Sequence, residues 1–187
     1  MSGVRDVLAR LAVATDRAKV PFMLAGSFAS TAHGLPRTTQ GIDVVIDPPD
    51  LAALEALVSA LLADEFYVDP DTARAALRER SMFNAIDRSA WKIDFIVRKA
   101  RPFSLEEFRR RAAVEILGIP MFVASAEDTI VAKLEWSLLS GGSERQRRDV
   151  AGILATVGAE IDRGYIEQWV RELGLDAEWR STTEPSR

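Results

Sequence analysis

Apolar positions change their spacing along this chain of 187 residues, and the changes mark its elements. Val4, Leu8 and Leu11 recur at helical intervals and predict a first helix over about residues 4–18. "VPFMLAG" is an apolar run closed by Gly26, which predicts a short buried strand. "SFASTAHG" predicts a short helix, stopped by Gly34 and Pro36. "IDVVI", residues 42–46, is β-branched and apolar and predicts a second strand ending at Pro48 and Pro49. Asp50 stands at the N-cap of a helix carrying Leu51, Leu54, Leu57, Val58, Leu61 and Leu62.

A polar stretch follows, with a short helix expected near 71–79. "SMFNAID" and "WKIDFIV" predict two strands joined by a turn at Arg88-Ser89. "SLEEFRRRA" predicts a short helix, and "AVEILGIPMFVAS" a hairpin turning at Gly118-Ile119-Pro120. The pattern then changes. Ser125 and Asp128 form a capping-box signature, and Ile130, Leu134 and Leu138 follow on one helical face. Two more helices are expected over about 144–157 and 162–173. Strands and helices therefore alternate up to about residue 124, and only helices follow. This predicts an α/β (α+β) protein: a mixed-sheet core over 1–124, a C-terminal helical subdomain over 125–180, and a disordered tail over 181–187.

Composition narrows the function classes. The chain has 24 Lys and Arg against 28 Asp and Glu, so no global basic field draws it to nucleic acid or to an anionic membrane. It has no cysteine and a single histidine, His33, which excludes disulfides and thiolate metal sites and argues against a histidine-rich one. The first helix carries Arg5, Asp6 and Arg10 and does not read as a signal peptide. No run of 18 apolar residues is present, so the expectation is a cytoplasmic protein with no membrane partner, most simply a bacterial one.

Three features carry candidate chemistry. Gly26 and Ser27 follow the first strand directly: glycine lets a ligand approach the backbone, and amides opening the next helix favour phosphate. Asp43 stands near the head of the second strand, and Asp94 lies inside "WKIDFIV". A carboxylate in an apolar strand is costly unless it is paired, metal-bound or at an exposed strand end. Two such carboxylates on neighbouring strands would offer hard oxygen ligands for Mg²⁺ or Mn²⁺. Taken singly, each is better explained structurally: Gly26-Ser27 as a turn, Asp43 as a strand-end cap, Asp94 as a partner of Lys92 or Arg98.

"LAGSFASTAHGLPRTTQGIDVVI" resembles the signature of the DNA polymerase beta-like nucleotidyltransferase superfamily: Gly-Gly/Ser after a hydrophobic residue, then Asp-hydrophobic-Asp/Glu on a strand, with a third carboxylate on a later strand. "ASAEDTIVAKLEWSLLSGGSERQRRDVAGIL" is similar to the helical segment of bacterial AbiEii-like and related nucleotidyltransferases, in which Glu-Asp, Lys-Leu and Arg-Asp follow in that order. The resemblance spans about residues 5–157 and implies a mixed sheet flanked by helices. It also implies transfer of a nucleoside monophosphate from a nucleoside triphosphate to a hydroxyl of RNA, a protein or a small molecule, with Mg²⁺ or Mn²⁺ as cofactor. Gly26 and Ser27 would then hold the triphosphate, Asp43 would bind both metals, and Asp94 would bind the catalytic metal and help activate the hydroxyl. Lys133 would contact phosphate or base, Asp149 would organise the helical face of the cleft, and Arg37 would reach a phosphate.

One position departs from that pattern. Gly41 stands where the family places its first metal-binding aspartate, two residues before Asp43 and on the same strand face. Asp47 shares that parity but lies two pleats on, roughly 13 Å along the strand, and is a poor substitute. Gly152 stands where relatives often carry a further aspartate. Three readings stay open: a member with weakened transfer, a non-catalytic nucleotide binder with an antitoxin-like or regulatory role, or a substitution of an original aspartate. A small-molecule transferase of the aminoglycoside-modifying kind is a further alternative. It would need an acidic pocket, for which "LADEFYVDPD", with Asp64, Glu65, Asp69 and Asp71, is the candidate. The basic run from Arg98 to Arg111 reads as a solvated helix face, or as a guide for an RNA acceptor.

Overall fold

A computed structural model describes residues 3–33 and 41–183. The chain divides into two units. Within the described residues, the first comprises 3–25 and 41–123, and the second 26–33 and 124–183.

The first unit holds every strand described. In chain order its elements are α1 (Val4–Arg17), β1 (Phe22–Leu24), β2 (Gly41–Ile46), α3 (Leu51–Ala63), β3 (Tyr67–Val68), α4 (Pro70–Glu79), β4 (Met82–Ile86), β5 (Lys92–Val97), α5 (Pro102–Arg109), β6 (Ala112–Ile116) and β7 (Ile119–Val123); α2 (Gly26–His33) belongs to the other unit. The strands form one mixed sheet in the order β3-β4-β5-β2-β1-β7-β6. β2 runs parallel to β5, and β1 parallel to β7; the other neighbours are antiparallel. Alternation sets the two sheet faces. Ile42, Val44 and Ile46 of β2 register with Ile93, Phe95 and Val97 of β5, and all six are buried. Phe83 of β4 stacks on Phe95 with ring centroids 5.0 Å apart. The alternate positions of β2 and β5, Gly41, Asp43, Lys92, Asp94 and Ile96, are more open.

Local chemistry agrees with the predicted elements in most places. Asp50 caps α3 by accepting from the Ala53 amide at 2.8 Å, and Asp69 caps α4 with Pro70 at its first turn. Arg10 of α1 reaches the buried Asp87 at 2.8 Å. Ser89 Oγ and the Ser89 and Trp91 amides also donate to that carboxylate. Burial works to raise the Asp87 pKa, but these hydrogen bonds outweigh it and hold the carboxyl below its ordinary value.

Three expectations need correction. The β6–β7 turn is Leu117-Gly118, both at positive φ, and Ile119 and Pro120 already belong to β7. Two residues at positive φ match a tight hairpin of the type that follows strand twist. The short helix begins at Pro102 and ends at Arg109, before the basic run does. The polar stretch near residue 67 contains an edge strand, β3.

The second unit is helical: α2, α6 (Ala126–Leu139), α7 (Glu144–Val157), α8 (Arg163–Glu172) and α9 (Asp176–Thr183). α6 is its hub and contacts the other four helices. The capping box is present, with the Asp128 amide donating to Ser125 Oγ at 3.1 Å. Two boundaries differ from the sequence reading. α2 groups with the C-terminal helices rather than with residues 1–124, and residues 181–183 continue α9 rather than opening a tail. Trp169 is buried and Trp136 is exposed. Among the described residues no helix is long and apolar enough to cross a membrane.

Candidate active site

In the first unit, the parallel pairing of β2 with β5 sets Asp43 opposite Asp94, and β4 sets Asn84 opposite Asp94 from the other side. Residues paired directly across neighbouring strands share a face, so Asn84, Asp94 and Asp43 form one polar row. The row interrupts otherwise apolar strands, so its charges need partners. Asn84 Nδ2 donates to Asp94 Oδ1. Lys92 Nζ lies 2.9 Å from Asp94 Oδ1 and 3.2 Å from Oδ2. The Ala25 amide donates to the Asp43 carbonyl at 2.9 Å, which closes the end of β1 onto β2 beside the row.

The next row holds Gly41 opposite Lys92, and Lys92 opposite Ile86. A Cβ built on Gly41 would meet no described atom within 4 Å. Arg98 does not join Asp94; it pairs with Asp47 at 2.9 Å, beyond the end of β2. Among the described residues no group of three or more His, Asp or Glu side chains could hold a metal ion. The register pair Asp43 and Asp94 offers two carboxylates. That number suits one hard dication whose shell is completed by phosphate oxygens and water, and it is too few for a pair of ions.

The second unit places the other predicted residues. Gly26, at φ +53°, opens α2, and Ser30 Oγ donates to its carbonyl at 2.7 Å. Ser27 follows in the first turn and is buried. His33 ends α2, with Nε2 2.8 Å from the Ala124 carbonyl oxygen, which gives it a structural partner. Lys133 and Asp149 come together: Lys133 Nζ, on α6, lies 2.7 Å from Asp149 Oδ2 and 3.0 Å from Gln146 Oε1, both on α7. Asp128 is wholly buried and takes hydrogen bonds from Ser125 Oγ at 2.7 Å and Tyr165 Oη at 2.5 Å. Arg37 lies outside the described residues.

Sequence reasoning missed Asn84 and Gln146. The signal for Asn84 was parity: in "MFNAI" it alternates with the buried Phe83 and Ala85, on the face Asp94 also occupies. The acidic loop does not gather into a pocket. Asp69 caps α4, Asp71 pairs with Arg74 at 2.8 Å, Glu65 pairs with Arg88 at 2.6 Å, and Asp64 lies 3.8 Å from Arg10. The basic run is likewise partnered, with Arg109 on Glu106 and Arg111 over the Phe108 ring.

No family model matches the chain, and no curated protein matches it in sequence. Solved structures do match. The chain is similar to ANT(2'')-Ia in complex with adenylyl-2''-tobramycin, with a TM-score of 0.59 at 14% identity over 92% of this chain and 97% of that one. It is also similar to the lincomycin-bound lincosamide antibiotic adenylyltransferase LnuA, with a TM-score of 0.53 at 10% identity over 81% of this chain and 96% of that one. An antigenic nucleotidyltransferase-like protein from Paracoccidioides brasiliensis matches with a TM-score of 0.56 at 14% identity, over 96% and 91%. Identities this low speak to architecture alone. The chain has the nucleotidyltransferase fold.

Proposed function

We propose that this chain binds a nucleoside triphosphate with Mg²⁺ or Mn²⁺ and transfers the nucleoside monophosphate to a hydroxyl. The observation that carries the reading is the register pair Asp43–Asp94 on one face of a nucleotidyltransferase sheet. In such a transfer the hydroxyl oxygen bonds to the α-phosphorus, the bond from that phosphorus to the α–β bridging oxygen breaks, and pyrophosphate leaves. The metal, when bound, neutralises charge on the phosphates and orients the attack. Asp43 and Asp94 hold it in this reading, and Asp94 takes the hydroxyl proton. The motif assigns phosphate binding to Gly26 and Ser27, whose amides open α2. Lys133 is engaged by Asp149 and Gln146, so it serves α6 and α7 first, and a phosphate or base contact asks it to leave those partners.

A small-molecule hydroxyl is the favoured acceptor. The antibiotic adenylyltransferases among the structural neighbours support this, and the partnered arginines after Arg98 offer little to an RNA strand. The finer likeness to AbiEii-like proteins rests on the α6–α7 sequence alone. Gly41 favours a second reading, a nucleotide-binding protein without transfer, because it contributes no oxygen to the metal.

Calorimetric titration of Mg²⁺–ATP into the unmodified chain, Asp43→Ala and Asp94→Ala tests the reading. Binding that weakens at least about tenfold in both variants supports it. Equal binding in all three, or none in the unmodified chain, defeats it. Among binders, formation of pyrophosphate with a hydroxyl acceptor separates transfer from binding alone.

A further inference from the structure

Lys92 occupies an unusual place on this sheet face. It lies two residues before Asp94 on β5, so both side chains project the same way. Across the sheet its partner on β2 is Gly41, where no described atom lies within 4 Å of the position a Cβ would take. Its partner on β4 is the apolar Ile86. The only acid it meets among the described residues is Asp94, at 2.9 and 3.2 Å from the two carboxylate oxygens. An ammonium at hydrogen-bond distance from both oxygens of a carboxylate stands on the side from which a cation would approach.

We propose that Lys92 is a built-in counter-cation of the carboxylate pair, taking the position beside Asp94 that a divalent ion would otherwise share. The inference rests on the transferase reading for the identity of the remaining ligand, a nucleotide-bound Mg²⁺. Three features support it. The ammonium has no competing acid on its own row. A side chain at 41 carrying a second charge would stand beside it, and glycine supplies none. The Lys92 side chain is half exposed on a flexible four-carbon stem, so it can yield when a stronger cation arrives. Lys92 thus sets how tightly the pair binds metal: a dication must displace the ammonium or bind against its charge.

The test is Mn²⁺ binding without nucleotide, read by electron paramagnetic resonance and calorimetry at low ionic strength. The chains compared are the unmodified protein, Lys92→Met, Lys92→Arg, and Lys92→Met combined with Asp94→Asn. Circular dichroism melts check that each is folded. Removing a unit positive charge next to the ligand should tighten Mn²⁺ binding by about tenfold in Lys92→Met. Lys92→Arg keeps the charge and should stay within about twofold of the unmodified chain, and Asp94→Asn should abolish the gain. The proposal is overturned if Lys92→Met binds Mn²⁺ no tighter than the unmodified chain, or if Lys92→Arg gains as much as Lys92→Met. Neither result depends on nucleotide, so failure here is distinct from failure to bind Mg²⁺–ATP.

Discussion

One lysine–aspartate pair in each unit invites comparison. Lys133 Nζ is 2.7 Å from Asp149, with side chains 5% and 11% exposed; Lys92 Nζ is 2.9 Å from Asp94, with side chains 50% and 18% exposed. The distances are alike and the settings differ. Taking Lys133 and Asp149 out of water is costly, and the pair persists because its geometry is good and Gln146 adds a hydrogen bond. It clips α6 to α7, which sixteen residues of sequence separate at this point. Lys92 and Asp94 keep contact with solvent, and screening makes their attraction weak and exchangeable. One pair is built to stay closed, and the other is free to exchange. Distance alone does not distinguish an ion pair that holds a fold from one that guards a site; burial does.

The comparison can be broken most directly at the buried pair. Lys133→Ala removes an ammonium from a nearly buried carboxylate and from Gln146, and leaves unfilled volume in α6. A loss of about 3 kcal/mol of unfolding free energy is expected, since removing one partner of a buried pair typically costs 3–5 kcal/mol. Urea denaturation followed by circular dichroism measures it. A loss below about 1 kcal/mol would place Lys133 with the exchangeable pairs and would free it for the nucleotide contact its motif implies.

Much of this was legible in the sequence, for physical reasons. Apolar, β-branched runs marked β2 and β5, and side-chain caps at Asp50 and Ser125 marked where α3 and α6 begin. Asp43 and Asp94 were found as carboxylates out of place in apolar strands. Lys92 as a partner of Asp94 was legible from a spacing of two, but the partners across strands were not, because register between strands distant in sequence decides them. Nothing in the string says that Asp43 pairs with Asp94, 51 positions on, or that Gly41 pairs with Lys92. The grouping of α2 with the C-terminal helices was hidden for the same reason, since long-range contacts made it. Lys133 and Asp149 were each singled out from a motif, but helical spacing does not show that one ties to the other across two helices.

A third ion pair sharpens the rule that burial decides. Asp87 is buried and Arg10 is its charged partner at 2.8 Å. Its folded-state pKa is depressed, so the stabilising contribution is present above the ordinary carboxylate pKa and is lost as pH falls through the folded value. Stability should therefore hold from neutral pH down to the ordinary aspartate range, near pH 4, and decline below it. Asp87→Asn should flatten that acid limb, at the cost of lower stability at neutral pH. Urea midpoints measured from pH 6 down to pH 2 test this. An unchanged acid limb in Asp87→Asn would mean that other carboxylates dominate acid unfolding and that burial of Asp87 does not set it apart.

The smallest effect is the most discriminating, because the pair on the sheet face should be nearly silent in stability while it is loud in ligand binding. Lys92→Met breaks an ion pair as short as many buried ones, yet Lys92 is half exposed and Asp94 keeps its hydrogen bond from Asn84. Exposed pairs contribute about 0–1 kcal/mol, and the new methionine lies beside Ile86 on its row, so the net change should stay within about 0.5 kcal/mol of zero. A urea midpoint shift answering to more than about 1 kcal/mol would mean that Lys92 is part of what holds β5 in place. The sheet-face pair would then be structural in the same sense as Lys133 and Asp149, and the tighter Mn²⁺ binding expected of Lys92→Met would have to be judged against a disturbed strand. A silent substitution leaves the opposite conclusion: the fold does not need this ammonium, and its position over Asp94 answers to what the carboxylates bind.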